Sequence, residues 1–343
     1  MATHELEITE PVDLCTSDGL RPNPLGLGWS RVPLHRANLD GYFGRNKKWD
    51  YWAILAGDLL ISATFADLDT FCLIDLGWIN CAEGTSGGKS TIAAHGAFVM
   101  PEHSSTTTIS VDLDGLQLTI ADLKDVTEFS ASWTEADGTP GQLSARVEKP
   151  RGLESLNVVI PWADELFNFT SKHWCRPSSG TLTLGDRIHA FGLAHGEEAF
   201  GVLDVGRGRW PAKLNWNWGG GAGHSQGRLI GLQFGAKWTD GSGLTENGFL
   251  IDGRLTKIGS DLEWTYDWDN PMEPWRVVDP KGQLDVTLTP TYDKHSKVDV
   301  SEDLGSETHQ VYGYWSGMVR TDDGEVITVD RIYGFAEEAR QRW

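Results

Sequence analysis

Cysteine is scarce: four residues, Cys15, Cys72, Cys81 and Cys175, with no CxxC pair among them. A cysteine-based metal cluster is therefore not expected, and a chain of 343 residues does not need disulfides to hold a core. Four thiols in a reducing compartment are the expectation. Basic residues are also few, 29 Lys and Arg against 49 Asp and Glu, for a formal net charge of −20. So acidic a surface argues against nucleic-acid binding, which requires phosphates to be neutralised, and against adsorption to anionic leaflets. No apolar run approaches the roughly 18 residues of a membrane span, so membrane insertion is not expected. The first ten residues are acidic where a secretory leader would be basic and then apolar, which points to the cytoplasm. Long apolar stripes at helical spacing are nearly absent.

What is abundant is glycine, with 40 residues, and tryptophan, with 16. Seven Asp-Gly dipeptides, starting at Asp18, Asp40, Asp114, Asp137, Asp240, Asp252 and Asp323, suit the positive φ angles of hairpin turns. Around Asp114-Gly115 the flanks alternate, with Ile109, Val111 and Leu113 before the turn and Leu116, Leu118 and Ile120 after it. That pattern predicts a hairpin with one buried face, and weaker copies surround Asp252-Gly253 and Asp323-Gly324. Two short helices are predicted, at 162–169 and 335–343. Many short strands with frequent turns predict an all-β barrel or sandwich. The turn-rich segment 162–180 suggests two units, 1–165 and 166–343, each the size of one small barrel.

Residues 84–91, GTSGGKST, resemble a phosphate-binding loop, but Glu83 stands where its first glycine belongs and no α/β context surrounds it. A surface loop is expected instead. His189 and His195 share strand parity, and His95 and His103 form a second pair, yet spacing specifies no third ligand, so no metal is expected. Tryptophans cluster at Trp49 and Trp52, at Trp210, Trp216 and Trp218, at Trp264, Trp268 and Trp275, and at Trp315. Trp216 and Trp218 lie on one side of a strand, whereas Trp49 and Trp52 cannot. Such indoles either fill a core or wall a ligand cavity. Asp204 shares a strand face with Val202, and a carboxylate on an apolar face is a candidate general acid. The competing expectation is a structural ion pair with Arg207 or Arg209. Asp267 and Asp269 share a face too, but Asp269-Asn270-Pro271 reads as a turn.

These segments also resemble a bacterial family, domain of unknown function 2804. The shared elements are Gly28-Trp29-Ser30-Arg31, Trp49-Asp50-Tyr51-Trp52, the run from Leu203 to Trp210, Trp216-Asn217-Trp218-Gly219, Pro274-Trp275 and Arg342-Trp343. More distantly, the C-terminal half resembles the carotenoid 1,2-hydratase (hydroxyneurosporene synthase) and AttH-type group of paired lipocalin-like barrels. In that group an aromatic-x-Asp strand precedes a Trp-Asp-Trp-like strand, as Asp204 precedes Trp216-Asn217-Trp218. Here Val205 and Gly206 replace the acidic or histidine residues that follow the motif Asp, and Ser316 replaces a Trp-Glu-Gly glutamate.

The resemblance implies two lipocalin-like antiparallel barrels and, with the residues above, a cofactor-free enzyme acting on a lipophilic, isoprenoid- or polyketide-like molecule. Asp204 would protonate it, Arg207 would orient Asp204, and hydration, dehydration, isomerisation or cyclisation would follow. Trp216, Asn217, Trp218, Trp275, Tyr314, Trp315, Trp49 and Trp52 are the expected substrate-binding residues. The alternative is a non-catalytic carrier of a hydrophobic ligand. A sugar-binding module lacks a readable carboxylate pair, and assembly into a homodimer is left open.

Overall fold

The structure, a computed structural model, describes residues 3–104, 107–301 and 304–342, so Trp343 lies outside the described residues. The fold is all-β, as expected. Helical pieces among the described residues are confined to the 3-10 turns Pro24–Gly26 and Leu193–His195, and no helix is long and apolar enough to cross a membrane.

One large antiparallel sheet runs Thr85–Ala94, Phe71–Asn80, Leu59–Asp67, Asn46–Ala56, Phe200–Arg209, Phe167–Leu184, Pro140–Glu148, Val126–Thr134, Leu116–Asp122 and Thr108–Leu113. Its first strand comes back against Leu116–Asp122 and Val126–Thr134, so the sheet curls nearly closed into a barrel. A second sheet runs Arg254–Ile258, Asn247–Ile251, Arg228–Ala236, Lys213–Ser225, Val326–Arg342, Leu304–Arg320, Leu284–Ser301, Trp275–Val278 and Glu263–Thr265, and forms a half-barrel.

At two of the seven Asp-Gly dipeptides both residues take the positive φ that the sequence suggests; at Asp323-Gly324 only the glycine does. Asp114-Gly115 (φ 51° and 78°) and Asp252-Gly253 (φ 50° and 83°) are both left-handed at both positions, the requirement of a type I′ hairpin. Gln226-Gly227 (φ 50° and 79°) makes a third such turn with no Asp-Gly signal. The glycine-rich run 84–91 lies largely on the strand Thr85–Ala94. A Cβ at Gly87 would lie 2.8 Å from the Trp78 ring, so that glycine serves close packing between strands. The four cysteines are free thiols.

Two predicted helices are replaced by extended chain. Residues 162–166 form a tight turn, with Trp162 N–H donating to Leu166 O, and Phe167 opens a strand. The segment from Phe335 onward continues the strand Val326–Arg342. Charge at one or two turns' spacing imitated a helix there, but pairing with two neighbouring strands decides the outcome. The sheets exchange between Arg209 and Lys213: Phe167–Leu184, Arg187–Phe191 and Phe200–Arg209 all belong to the first sheet, and Asp204 with them. The reason is long-range pairing, since Phe200–Arg209 registers against Asn46–Ala56 along its whole length.

Four cores result among the described residues. Trp52, Phe65 and Phe129 fill the barrel, Phe234, Trp275 and Trp315 fill the half-barrel, Trp174, Val202, Trp218 and Phe335 pack between the sheets, and Phe169 belongs to a fourth. The strand Phe167–Leu184 serves three of them, through Leu182, Trp174 and Phe169. At Trp174-Cys175 two residues oppose Val202 alone, a β-bulge with Cys175 at φ 59°. Lys172 before it and Trp174 within it face the second sheet; after it, Arg176 lies over the Trp52 ring and Leu182 joins the barrel core. Arg209, fully buried, ties the N-terminal segment to the barrel by donating to Asn46 Oδ1 and to the carbonyls of Gly19, Leu20 and Asp40.

Candidate functional site

Strand alternation places the site. On Phe200–Arg209, Leu203 and Val205 point into the barrel while Phe200 and Val202 point toward the second sheet. Asp204 shares the latter face and borders a cavity of about 390 Å3 between the sheets. Thr170 and Lys172 approach from the neighbouring strand, Trp49 and Tyr51 from Asn46–Ala56, and Trp216, Trp218, Gln310 and Glu337 from the half-barrel.

Aromatic rings make most of the wall. Trp210 stands edge-on to Trp49 at 5.1 Å and to Trp216 at 5.7 Å, and stacks on Trp238 at 6.3 Å. Trp218 meets Tyr51 edge-on at 5.8 Å, and the Lys172 ammonium lies 4.3 Å above the Trp218 ring. Gly206 makes room for this wall, because a Cβ there would lie 2.0 Å from the Trp49 indole.

Within the wall sits a buried polar cluster. Lys172 Nζ lies 2.9 Å from Asp204 Oδ1 and 3.2 Å from Glu246 Oε2, the latter an ion pair without hydrogen-bond geometry. Asp204 also accepts from Thr170 Oγ1 (3.1 Å) and Trp49 Nε1 (3.2 Å), and Glu246 accepts from Trp238 Nε1 (2.6 Å). Burial disfavours the Lys172 charge, but the two adjacent carboxylates outweigh it and hold its pKa above the ordinary value. Burial pushes Glu246 up, against the pull of Lys172. Glu337, across the cavity, accepts from Trp216 Nε1 (2.7 Å) and Gln310 Nε2 (2.8 Å). Burial raises its pKa to about 7 in spite of the Trp216 hydrogen bond and the Lys172 charge. Asn168 is fully buried at the cavity wall, and neither its amide nitrogen nor its oxygen has a hydrogen-bond partner.

The structure brings together some of the expected residues and separates others. Asp204, Trp49, Trp216 and Trp218 line one cavity. Arg207 does not touch Asp204: three residues on along the same strand, it points the other way, into the barrel, where it pairs with Asp50 at 2.7 Å and donates to the carbonyls of Trp49 and Gly206. The ion pair foreseen for Asp204 is real, but its cation is Lys172. Trp52 belongs to the barrel core, by the same parity that separates it from Trp49. Asn217 faces away between Trp216 and Trp218, donating to Tyr266 Oη and the Glu337 carbonyl. Trp275 stacks on Tyr266 at 3.9 Å in the half-barrel, and Trp315 is fully buried there, donating to Gly220 O. Tyr314 packs on Tyr333 under the Arg331 guanidinium, away from the cavity.

Lys172, Glu246, Glu337 and Trp238 were missed. A signal existed for two of them. Thr170, Lys172 and Trp174 alternate on one strand, and Phe335, Glu337 and Ala339 do so on another once the helix is abandoned. Glu246 sits in a loop, where no periodicity marks it.

Among solved structures the chain is similar to kievitone hydratase from Nectria haematococca at 12% identity and TM-score 0.47, covering 87% of this chain and 89% of that one. It is similar to an AttH protein from Nitrosomonas europaea at 12% identity and TM-score 0.46, covering 88% and 94%. It is likewise similar to CghA at 11% identity and TM-score 0.45, covering 98% and 94%. No curated protein matches. The sequence resemblance noted above is confirmed by a family-model match over residues 5–343, and the chain belongs to the family described as Domain of unknown function (DUF2804).

Proposed function

We propose that the inter-sheet cavity binds a lipophilic small molecule bearing one polar group and carries out acid–base chemistry on it, with Glu337 as the proton donor. The observation that carries this reading is a carboxyl group held near pKa 7 in an indole-walled cavity that also holds a buried ammonium. A group poised there is protonated in a usable fraction at neutral pH and regains its proton readily, the condition for general acid catalysis. Asp204, which the sequence suggested as the acid, is occupied by Lys172, Thr170 and Trp49. Its role in this reading is to fix Lys172, while the unpartnered Asn168 amide supplies a donor and an acceptor to the polar end of the ligand.

In the hydration form, Glu337 transfers its proton to one carbon of an electron-rich alkene. The π pair forms the C–H bond and leaves a cation at the other carbon, stabilised by the faces of the indoles. Water adds there through its lone pair and returns one proton to the Glu337 carboxylate. Dehydration is the reverse, and loss of a neighbouring proton in place of water capture gives isomerisation. Lipophilic alkenes, prenylated aromatics among them, are the compounds to screen in H2(18)O. Glu337→Gln should abolish product while ligand quenching of the tryptophan emission persists. Undiminished turnover in that variant overturns the acid assignment. Binding without turnover by the wild type, across the panel, favours the carrier.

A further inference from the structure

The hairpin formed by Leu284–Ser301 and Leu304–Arg320 is two-faced. Lys294, Thr308 and Gln310 border the cavity. Asp293, His295, Glu307 and His309 alternate with them and so occupy the opposite face. His295 and His309 are direct cross-strand partners, their rings 4.1 Å apart and inclined by only 4°. His295 Nε2 lies 3.1 Å from Glu307 Oε1, and His309 Nδ1 lies 2.8 Å from Asp293 Oδ2. The donor atoms of His295, Glu307 and His309 all fall within 4.8 Å of one another. The second oxygen of Asp293 is buried and has no hydrogen-bond partner.

We propose that His295, Glu307 and His309 bind a divalent transition-metal ion of the zinc type, with Asp293 as the residue that orients His309. Two imidazoles are borderline donors suited to zinc, which also takes a carboxylate, whereas calcium and magnesium prefer oxygen alone. The Asp293 contact fixes the His309 tautomer: Nδ1–H donates to the carboxylate and Nε2 keeps its lone pair for the metal, the carboxylate–histidine arrangement common at zinc sites. Ligand atoms around zinc stand a little over 3 Å apart, so the cluster needs only side-chain rotation to close. Those rotations are accessible, because the His295 side chain is 44% exposed and Lys297, which now pairs with Glu307, is 51% exposed. Three protein ligands leave one coordination position for water. Sequence spacing concealed this group because its histidines come from two strands.

Titration of tag-free, EDTA-stripped full-length protein with zinc ion, against a chromophoric chelator, tests the site. One equivalent at micromolar affinity or tighter is expected, weakened at least 100-fold in His295→Ala/His309→Ala and about 10-fold in Asp293→Asn. Cobalt substitution should give visible absorption bands that the double variant lacks. His295→Ala alone, altering an exposed side chain, guards against misfolding of the double variant and should lose affinity by itself. No binding at 100 µM zinc, or a stoichiometry and affinity unchanged by these substitutions, overturns the proposal.

Discussion

The indole of Trp216 donates its Nε1–H to Glu337 Oε1 at 2.7 Å, linking two half-barrel strands whose Cα register already places Trp216 beside Ala339 and Glu337 beside Trp218. The hydrogen bond favours the carboxylate, yet burial dominates and the pKa rises to about 7. The balance between those two effects makes Glu337 measurable through stability as well as activity.

In the unfolded chain Glu337 ionises near its ordinary 4.5, and in the folded one near 7. The folded state therefore binds the proton more tightly, so a penalty absent below pH 4.5 grows as the pH rises and is complete above about 7. That penalty is roughly 3 kcal/mol. Glu337→Gln should remove it, so the variant's stability relative to wild type should be greater at pH 8 than at pH 5. Urea denaturation at the two pH values checks this, and an equal difference at both rejects the raised pKa.

Lys172 compensates two buried carboxylates, Asp204 and Glu246, with its side chain only 6% exposed. Lys172→Met should cost about 3–5 kcal/mol, because it leaves charge uncompensated in an apolar wall. Adding Asp204→Asn and Glu246→Gln should recover much of the loss. Chemical denaturation of the single and triple variants measures it.

Gly206→Ala puts a methyl group into the space now held by the Trp49 ring. Overpacking of this kind costs about 1–3 kcal/mol. The displaced indole should also lose its hydrogen bond to Asp204 and shrink the cavity. Weaker ligand quenching together with a lowered Tm is expected, whereas unchanged binding would show that Trp49 does not shape the pocket.

Arg207→Met should leave ligand binding intact and destabilise the barrel by about 3–5 kcal/mol, since Asp50 loses its buried partner. Asp50→Asn in the same chain should relieve that loss. A binding defect without a stability defect would instead return Arg207 to the cavity.

The sequence made the all-β class legible through turns whose chemistry is local, such as Asp114-Gly115, and strands whose alternation is local, such as Ile109 to Leu113. It made part of the cavity legible through parity: Trp216 and Trp218 face together, and Trp49 parts from Trp52. What it concealed depends on pairing between distant strands. Nothing in the neighbourhood of Asp204 shows that Lys172 is its cross-strand neighbour, and Arg207 looked like a partner because it was near in sequence. Trp275 and Trp315 illustrate a further limit. An indole pattern alone does not separate a wall of the cavity from the core of the half-barrel.

The bulge at Trp174-Cys175 makes chain length along its strand a matter of odd and even. Upstream, the face carrying Lys172 looks toward the second sheet; downstream, the face carrying Leu182 looks into the barrel. Ten residues apart, the two would share a face in an unbroken ladder, so the one extra residue of the bulge is what sends them to opposite sides. A strand without the bulge would present the same two faces with one residue fewer, whereas loss of two residues there would turn Lys172 or Leu182 over.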